Sequence, residues 1–129
     1  MVRLLLDTHL LIWVVSEPER LSPKALELIN DDANDLFFSA ASIWEIAIKA
    51  SYQRADFMVN VPDLHSELLR NGYGEVAVSG GHTFAVVHLP HLHKDPFDRL
   101  LLAQAMREDL TLVTADAMLA SYPGPILKV

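Results

Sequence analysis

The sequence predicts an α/β fold built on a mostly parallel sheet. Short apolar runs alternate with helical segments along the whole chain, the pattern of βα units. The first run, VRLLL at residues 2–6, is broken only by Arg3. A strand covered on both faces reads this way. The chain has 129 residues, 51% of them apolar, with no internal repeat and no linker long enough to separate a second domain. That length and composition suit one domain, residues 1–129, around one core.

Each element has its own local reason. After the strand at 2–6, residues 8–15 (THLLIWVV) read as a helix, and Pro18 marks a polar break. Ser22 followed by Pro23 is a helix cap with proline at the first helical position, opening a helix to about residue 30. Residues 35–39 form a short strand around Leu36, Phe37 and Phe38. Residues 41–52 are amphipathic, with Ile43, Trp44, Ala47 and Ile48 near one face. A helix at 62–70 is stopped by Asn71-Gly72. Residues 75–79 alternate as a strand, and Gly80-Gly81 lead into a short helix that ends before Pro90. Residues 96–109 are the clearest helix, with Asp95-Pro96 as cap and first position. A strand at 111–114, a short helix at 116–121 and a last strand at 126–129 complete the reading.

Composition excludes several classes. The absence of cysteine removes disulfides, thiolate zinc sites and cysteine catalysis, and fits a reducing cytoplasm. No apolar run approaches the ~20 residues of a membrane span, and the N-terminal run lacks the pattern of a signal peptide. The net charge of −7 gives no general attraction to nucleic acid. A protein of this charge that acts on RNA or DNA draws positive charge from metal ions or a local basic patch. The same acidity suits a basic protein partner.

Four acids carry the chemical signal: Asp7, Glu45, Asp98 and Asp116. Each falls where a strand gives way to a helix or just inside that helix. In a parallel sheet those points converge beyond the carboxyl ends of the strands. Each acid also has a purely structural reading. Asp7 and Asp116 sit where helix caps belong. Glu45 has a capping-box spacing to Ser42 and a helix-pair spacing to Lys49. Asp98 suits the first turn of a helix dipole. Capping alone would accept Ser, Thr or Asn as readily, whereas all four positions are acidic. Two unit charges ~4 Å apart repel by roughly 4 kcal/mol at an effective dielectric near 20. The cluster therefore calls for a counter-ion, and oxygen-only ligands select hard cations, Mg²⁺ or Mn²⁺. Such an ion lowers the pKa of a water and polarises a phosphodiester. In this reading Asp7 and Asp98 hold the essential ion, while Glu45 and Asp116 support it or orient water.

The segments LLLDTHLLIW (4–13), SAASIWEIAIK (39–49), HKDPFDRLLLAQA (93–105) and LVTAD (112–116) together resemble a PIN domain. More narrowly, they look like the VapC toxins of bacterial type II toxin–antitoxin pairs. The resemblance spans almost the whole chain in order, and DPFDRLLLAQA is its most specific segment. It implies a three-layer α/β/α fold, a Mg²⁺- or Mn²⁺-dependent endoribonuclease, a homodimer and a small DNA-binding antitoxin as partner. Asp7, Glu45, Asp98 and Asp116 match the family's acidic quartet, and Thr114 matches its hydroxyl residue two positions before the last acid.

Three other readings compete. His91, His93 and Asp95 match an H-x-H-x-D zinc pattern, but Pro96 stands where the next histidine belongs. A solvated loop after Pro90 is the favoured reading of these histidines. A phospho-receiver module needs an acidic pair after the first strand, where Asp7 is followed by Thr8 and His9. A PIN-like module kept only for binding would carry the same acids inertly. Trp13, Phe37, Phe38 and Trp44 read as core residues ahead of base-stacking platforms. Lys49, Lys94 and Arg99 are candidate RNA contacts, each with the default reading of an ordinary solvated charge.

Overall fold

The computed structural model describes residues 2–52 and 59–129. The elements run β1 (Val2–Leu6), α1 (Thr8–Ser16), α2 (Pro23–Asn30), β2 (Asn34–Ser39), α3 (Ala40–Ser51), α4 (Val61–Arg70), β3 (Gly74–Val76), α5 (Gly80–Val86), α6 (Pro96–Glu108), β4 (Thr111–Thr114) and β5 (Ile126–Lys128). Caps start the helices where the sequence places them. Ser22 Oγ accepts from Ala25 N at 3.1 Å, and Asp95 Oδ1 accepts from Phe97 N at 2.9 Å, each ahead of a proline.

The five strands are all parallel, in the order β3-β2-β1-β4-β5. The apolar runs divide by alternation, as the pleat requires. Leu4, Leu6, Phe38 and Val113 face one side and pack with Leu10, Leu11, Ile46, Leu64 and Leu68 from α1, α3 and α4. Leu5 and Leu112 face the other side and pack with Leu101, Leu102 and Ala105 of α6. Two cores on opposite faces of one sheet make the domain a three-layer α/β/α sandwich.

The chain winds outward from β1 to β2 and β3, then returns to place β4 on the other side of β1. The reversal opens a crevice beyond the carboxyl ends of β1 and β4, the usual place for a site in such sheets. Asp7 follows β1 directly, and Thr114 ends β4.

The structure departs from the sequence reading at three elements. The strand expected at 75–79 is Gly74–Val76, because Ser79 leaves the sheet to cap α5 in a capping box with His82. The helix expected at 116–121 is only a 3₁₀ turn, Leu119–Ser121, preceded by a loop that Asp116 holds closed. The face of α3 that is buried carries Ala41, Ser42, Glu45 and Ile46, not the stripe through Trp44. Among the described residues no helix is long and apolar enough to cross a membrane.

Candidate metal centre

Asp7 serves two partners at once. Its Oδ1 accepts from Leu10 N at 3.0 Å, so it does cap α1. Its Oδ2 accepts from Thr114 Oγ1 at 2.5 Å, across the gap between β1 and β4. The same hydroxyl oxygen accepts from Asp116 N at 3.0 Å. Thr114 thus ties the first acid to the last, bonding to Asp7 across 107 positions of the chain. Burial pushes the Asp7 pKa up. The Thr114 hydroxyl and Leu10 N–H oppose the rise, and the charge of Asp116 adds to it.

Glu45 lies inward on α3 and is buried. Ser39, not Ser42, caps this helix, accepting from Ala41 N at 3.0 Å. Ser42 Oγ instead accepts from Thr8 Oγ1 at 3.0 Å, so the capping-box reading of Glu45 does not hold. Lys49 Nζ pairs with Glu45 Oε2 at 3.2 Å. The other oxygen, Oε1, is buried with no hydrogen-bond partner among the described residues. A bare buried carboxylate oxygen costs much of its lost hydration unless something binds it.

Asp98 sits in the first turn of α6, where Asp95 provides the cap. Its pKa is pushed up to about 7. Burial is the main cause, the charges of Asp95, Asp7 and Glu45 add to it, and His93 opposes it. Asp98 therefore lies within electrostatic reach of two of the other three expected acids. Asp116 behaves differently. Partial burial raises its pKa, but the His93 ring and the N–H groups of Leu119 and Met118 outweigh that, and the net direction is down.

His93 is the residue that the sequence reading missed. Far from a solvated loop, its Nε2 lies 3.2 Å from both Asp98 Oδ2 and Asp116 Oδ2. Ligand atoms of His93, Asp98 and Asp116 all lie within 4.8 Å of one another. The position of His93 two residues before the α6 cap was the available signal. His91, by contrast, is exposed and does not join the cluster, which leaves the H-x-H-x-D zinc pattern without its first histidine.

The candidate RNA contacts divide. Lys94 is exposed beside the cluster. Lys49 is engaged by Glu45. Arg99 Nη2 donates to Val86 O at 3.3 Å and Leu89 O at 3.2 Å, bracing the end of α5 against α6. Of the four aromatic residues read as core, Phe38 is fully buried, whereas Trp44 is 63% exposed and rests edge-on against Phe97.

The donor set fits a divalent cation. Asp7, Asp98, Asp116 and Glu45 offer carboxylate oxygens from four separate segments, and Glu45 Oε1 has nothing else to bind among the described residues. Carboxylate oxygens are hard donors of the kind that hold divalent cations.

Comparison with known proteins places this fold in a family. The PIN domain family model matches residues 4–125. Ribonuclease VapC22 of Mycobacterium tuberculosis is 32% identical over 126 residues, covering 97% of this chain and 95% of that protein. Among solved structures, VapBC2 from Rickettsia felis, bound to a DNA fragment from its promoter, superposes with a TM-score of 0.72 at 18% identity over 98% of both chains. VapBC-1 from nontypeable Haemophilus influenzae superposes with a TM-score of 0.59 at 13% identity, again over 98% of both chains. The family model spans all four acidic segments, and the chain belongs to the PIN domain family, in its VapC branch.

Proposed function

We propose that this protein is a Mg²⁺- or Mn²⁺-dependent endoribonuclease, the toxin of a type II toxin–antitoxin pair that acts in the cytoplasm as a homodimer. One observation carries the reading. Asp98 and Asp116 meet at His93 and Thr114 ties Asp7 to Asp116; Glu45 keeps a bare buried oxygen, and Asp98 has its pKa pushed up to about 7. A capping role explains neither feature. The kinship with a VapC ribonuclease supplies the substrate class, RNA.

Asp7 and Asp98 would hold a divalent cation, with Glu45 and Asp116 in support, and the bound ion would supply a water of lowered pKa and a polarised phosphoryl oxygen. The chain's own residues do the positioning. Thr114 sets the spacing between Asp7 and the Asp116 backbone. Lys49 holds one Glu45 oxygen and leaves the other turned inward. Without a cation, burial first and the neighbouring carboxylates second keep a proton on Asp98 up to near-neutral pH. Lys94, the exposed one of the three candidate contacts, meets the RNA backbone.

The acidic rim and the net charge of −7 suit a basic antitoxin segment. An Arg or Lys from that segment replaces the cation's charge among the carboxylates, so antitoxin and metal compete. The purified protein, free of partner, is expected to cut a structured RNA with Mg²⁺ or Mn²⁺ and to stop in EDTA. Equal cleavage in EDTA would reject the metal mechanism.

A further inference from the structure

The His93, Asp98 and Asp116 atoms look like a mixed nitrogen–oxygen ligand set, the kind that takes transition metals ahead of Mg²⁺. The hydrogen bonds around the ring argue otherwise. Asp95 N donates to His93 Nδ1 at 3.0 Å, which occupies the Nδ1 lone pair. In the neutral ring the proton then sits on Nε2. Nε2 faces Asp98 Oδ2 and Asp116 Oδ2, each at 3.2 Å, as a donor with no lone pair to offer a cation. A ligating histidine has the opposite polarity, since its second ring nitrogen donates to a carboxylate or carbonyl.

The ring is held from several sides. The buried Tyr122 Oη accepts from Leu92 N at 3.2 Å and His93 N at 2.9 Å, fixing the loop backbone. Asp95, whose N–H sets the tautomer, also caps α6 through Oδ1 at 2.9 Å from Phe97 N. One short loop therefore orients the imidazole and starts the helix that carries Asp98.

We propose that His93 is a positioning residue and not a metal ligand: its Nε2–H is shared between Asp98 and Asp116, in a tautomer set by the Asp95 N–H. It fixes the gap between two carboxylates that arrive from different elements, and it leaves the cation an all-oxygen set. This rests on the metal-dependent reading above.

The test uses Mn²⁺ alone with the full chain. Calorimetry measures binding, and pulsed electron paramagnetic resonance reads any nitrogen bound directly to the ion. Mn²⁺ is expected to bind the wild type without the coupling of a coordinated imidazole nitrogen. His93→Ala is expected to lose about 10–100-fold in RNA cleavage, the range for a residue that orients ligands. His93→Gln keeps an N–H donor and should recover much of that loss. Tyr122→Phe, which frees the loop backbone only, should fall between wild type and His93→Ala. A nitrogen coupling in the wild type that vanishes in His93→Ala would make His93 a ligand and overturn the proposal. Wild-type cleavage by His93→Ala would also overturn it. Absence of any Mn²⁺ binding to the wild type would instead remove the metal-dependent reading itself, and this proposal with it. The resonance measurement on the wild type decides the ligand question even if no variant folds.

Discussion

Asp98 keeps its proton to a higher pH in the folded chain than in the unfolded one, and that difference has a thermodynamic sign. The pKa rises from an ordinary 3.8 to about 7 on folding. Between those values the folded protein binds more protons than the unfolded chain, so stability falls as pH rises through the window. Asp7, also raised, acts in the same direction. Asp116 is lowered, so the stability it contributes is lost only as pH falls below the ordinary carboxylate range. The metal-free protein is therefore expected to be less stable at pH 8 than at pH 5, read from urea midpoints. Asp98→Asn should flatten that slope and raise metal-free stability at pH 8 by about 1–3 kcal/mol. Both Asp98→Asn and Asp7→Asn should abolish RNA cleavage while the fold survives, since Asn at position 7 still caps α1 and α6 keeps its cap at Asp95. Wild-type activity in both variants would return Asp7 to a capping role and Asp98 to a first-turn charge on the helix dipole.

At the scale of elements, the site depends on how three pieces are locked together. Ser39, at the end of β2, caps α3, and its hydroxyl donates to Gln104 Oε1 of α6 at 2.6 Å. Both side chains are fully buried. This bond fixes the helix carrying Glu45 to the helix carrying Asp98. Ser39→Ala removes a cap and strands a buried acceptor, so it should cost about 1–3 kcal/mol in chemical denaturation. A shift in cleavage should accompany it, because the two acids lose their common reference. The edge of the sheet has a tighter constraint. A Cβ at Gly74 in β3 would lie 2.7 Å from two ring atoms of Phe37 on β2. Gly74→Ala should destabilise by about 1–3 kcal/mol through overpacking. An unchanged melting temperature would show that the ring can move aside.

For the molecule as a whole, the deciding quantity is charge. Seventeen acidic residues against ten basic ones leave the protein repelling the RNA that it is proposed to cut. Metal at the carboxylates offsets that repulsion locally, and a basic antitoxin segment offsets it without catalysis. Antitoxin binding should therefore weaken with added salt and compete with Mn²⁺. Expression of the protein alone should arrest bacterial growth, and co-expression of the adjacent gene product should restore it. A folded, abundant and harmless protein, with no adjacent product that binds it, would leave a general PIN-type RNA-processing nuclease as the better account.

Local chemistry determined more of this protein than its packing did. Caps at Ser22 and Asp95, the continuous strand at β1 and the acids at strand ends are all properties of neighbouring residues, and they were legible in order. The parallel-sheet rule put the expected site beyond the carboxyl ends of the strands, where Asp7 follows β1 and Thr114 ends β4. Three things were decided only in three dimensions. Trp44 lies in an apolar run yet is exposed, because the buried face of α3 is the one that carries Ser42 and Glu45. Arg99 follows Asp98 directly yet turns to the carbonyls of Val86 and Leu89, since its place on α6 points it at α5. His93 gained its place among the carboxylates through a backbone N–H from Asp95 and a hydroxyl from Tyr122. A side chain's tautomer and aim depend on groups brought near by the fold, and no spacing along the chain encodes a contact made 29 residues away.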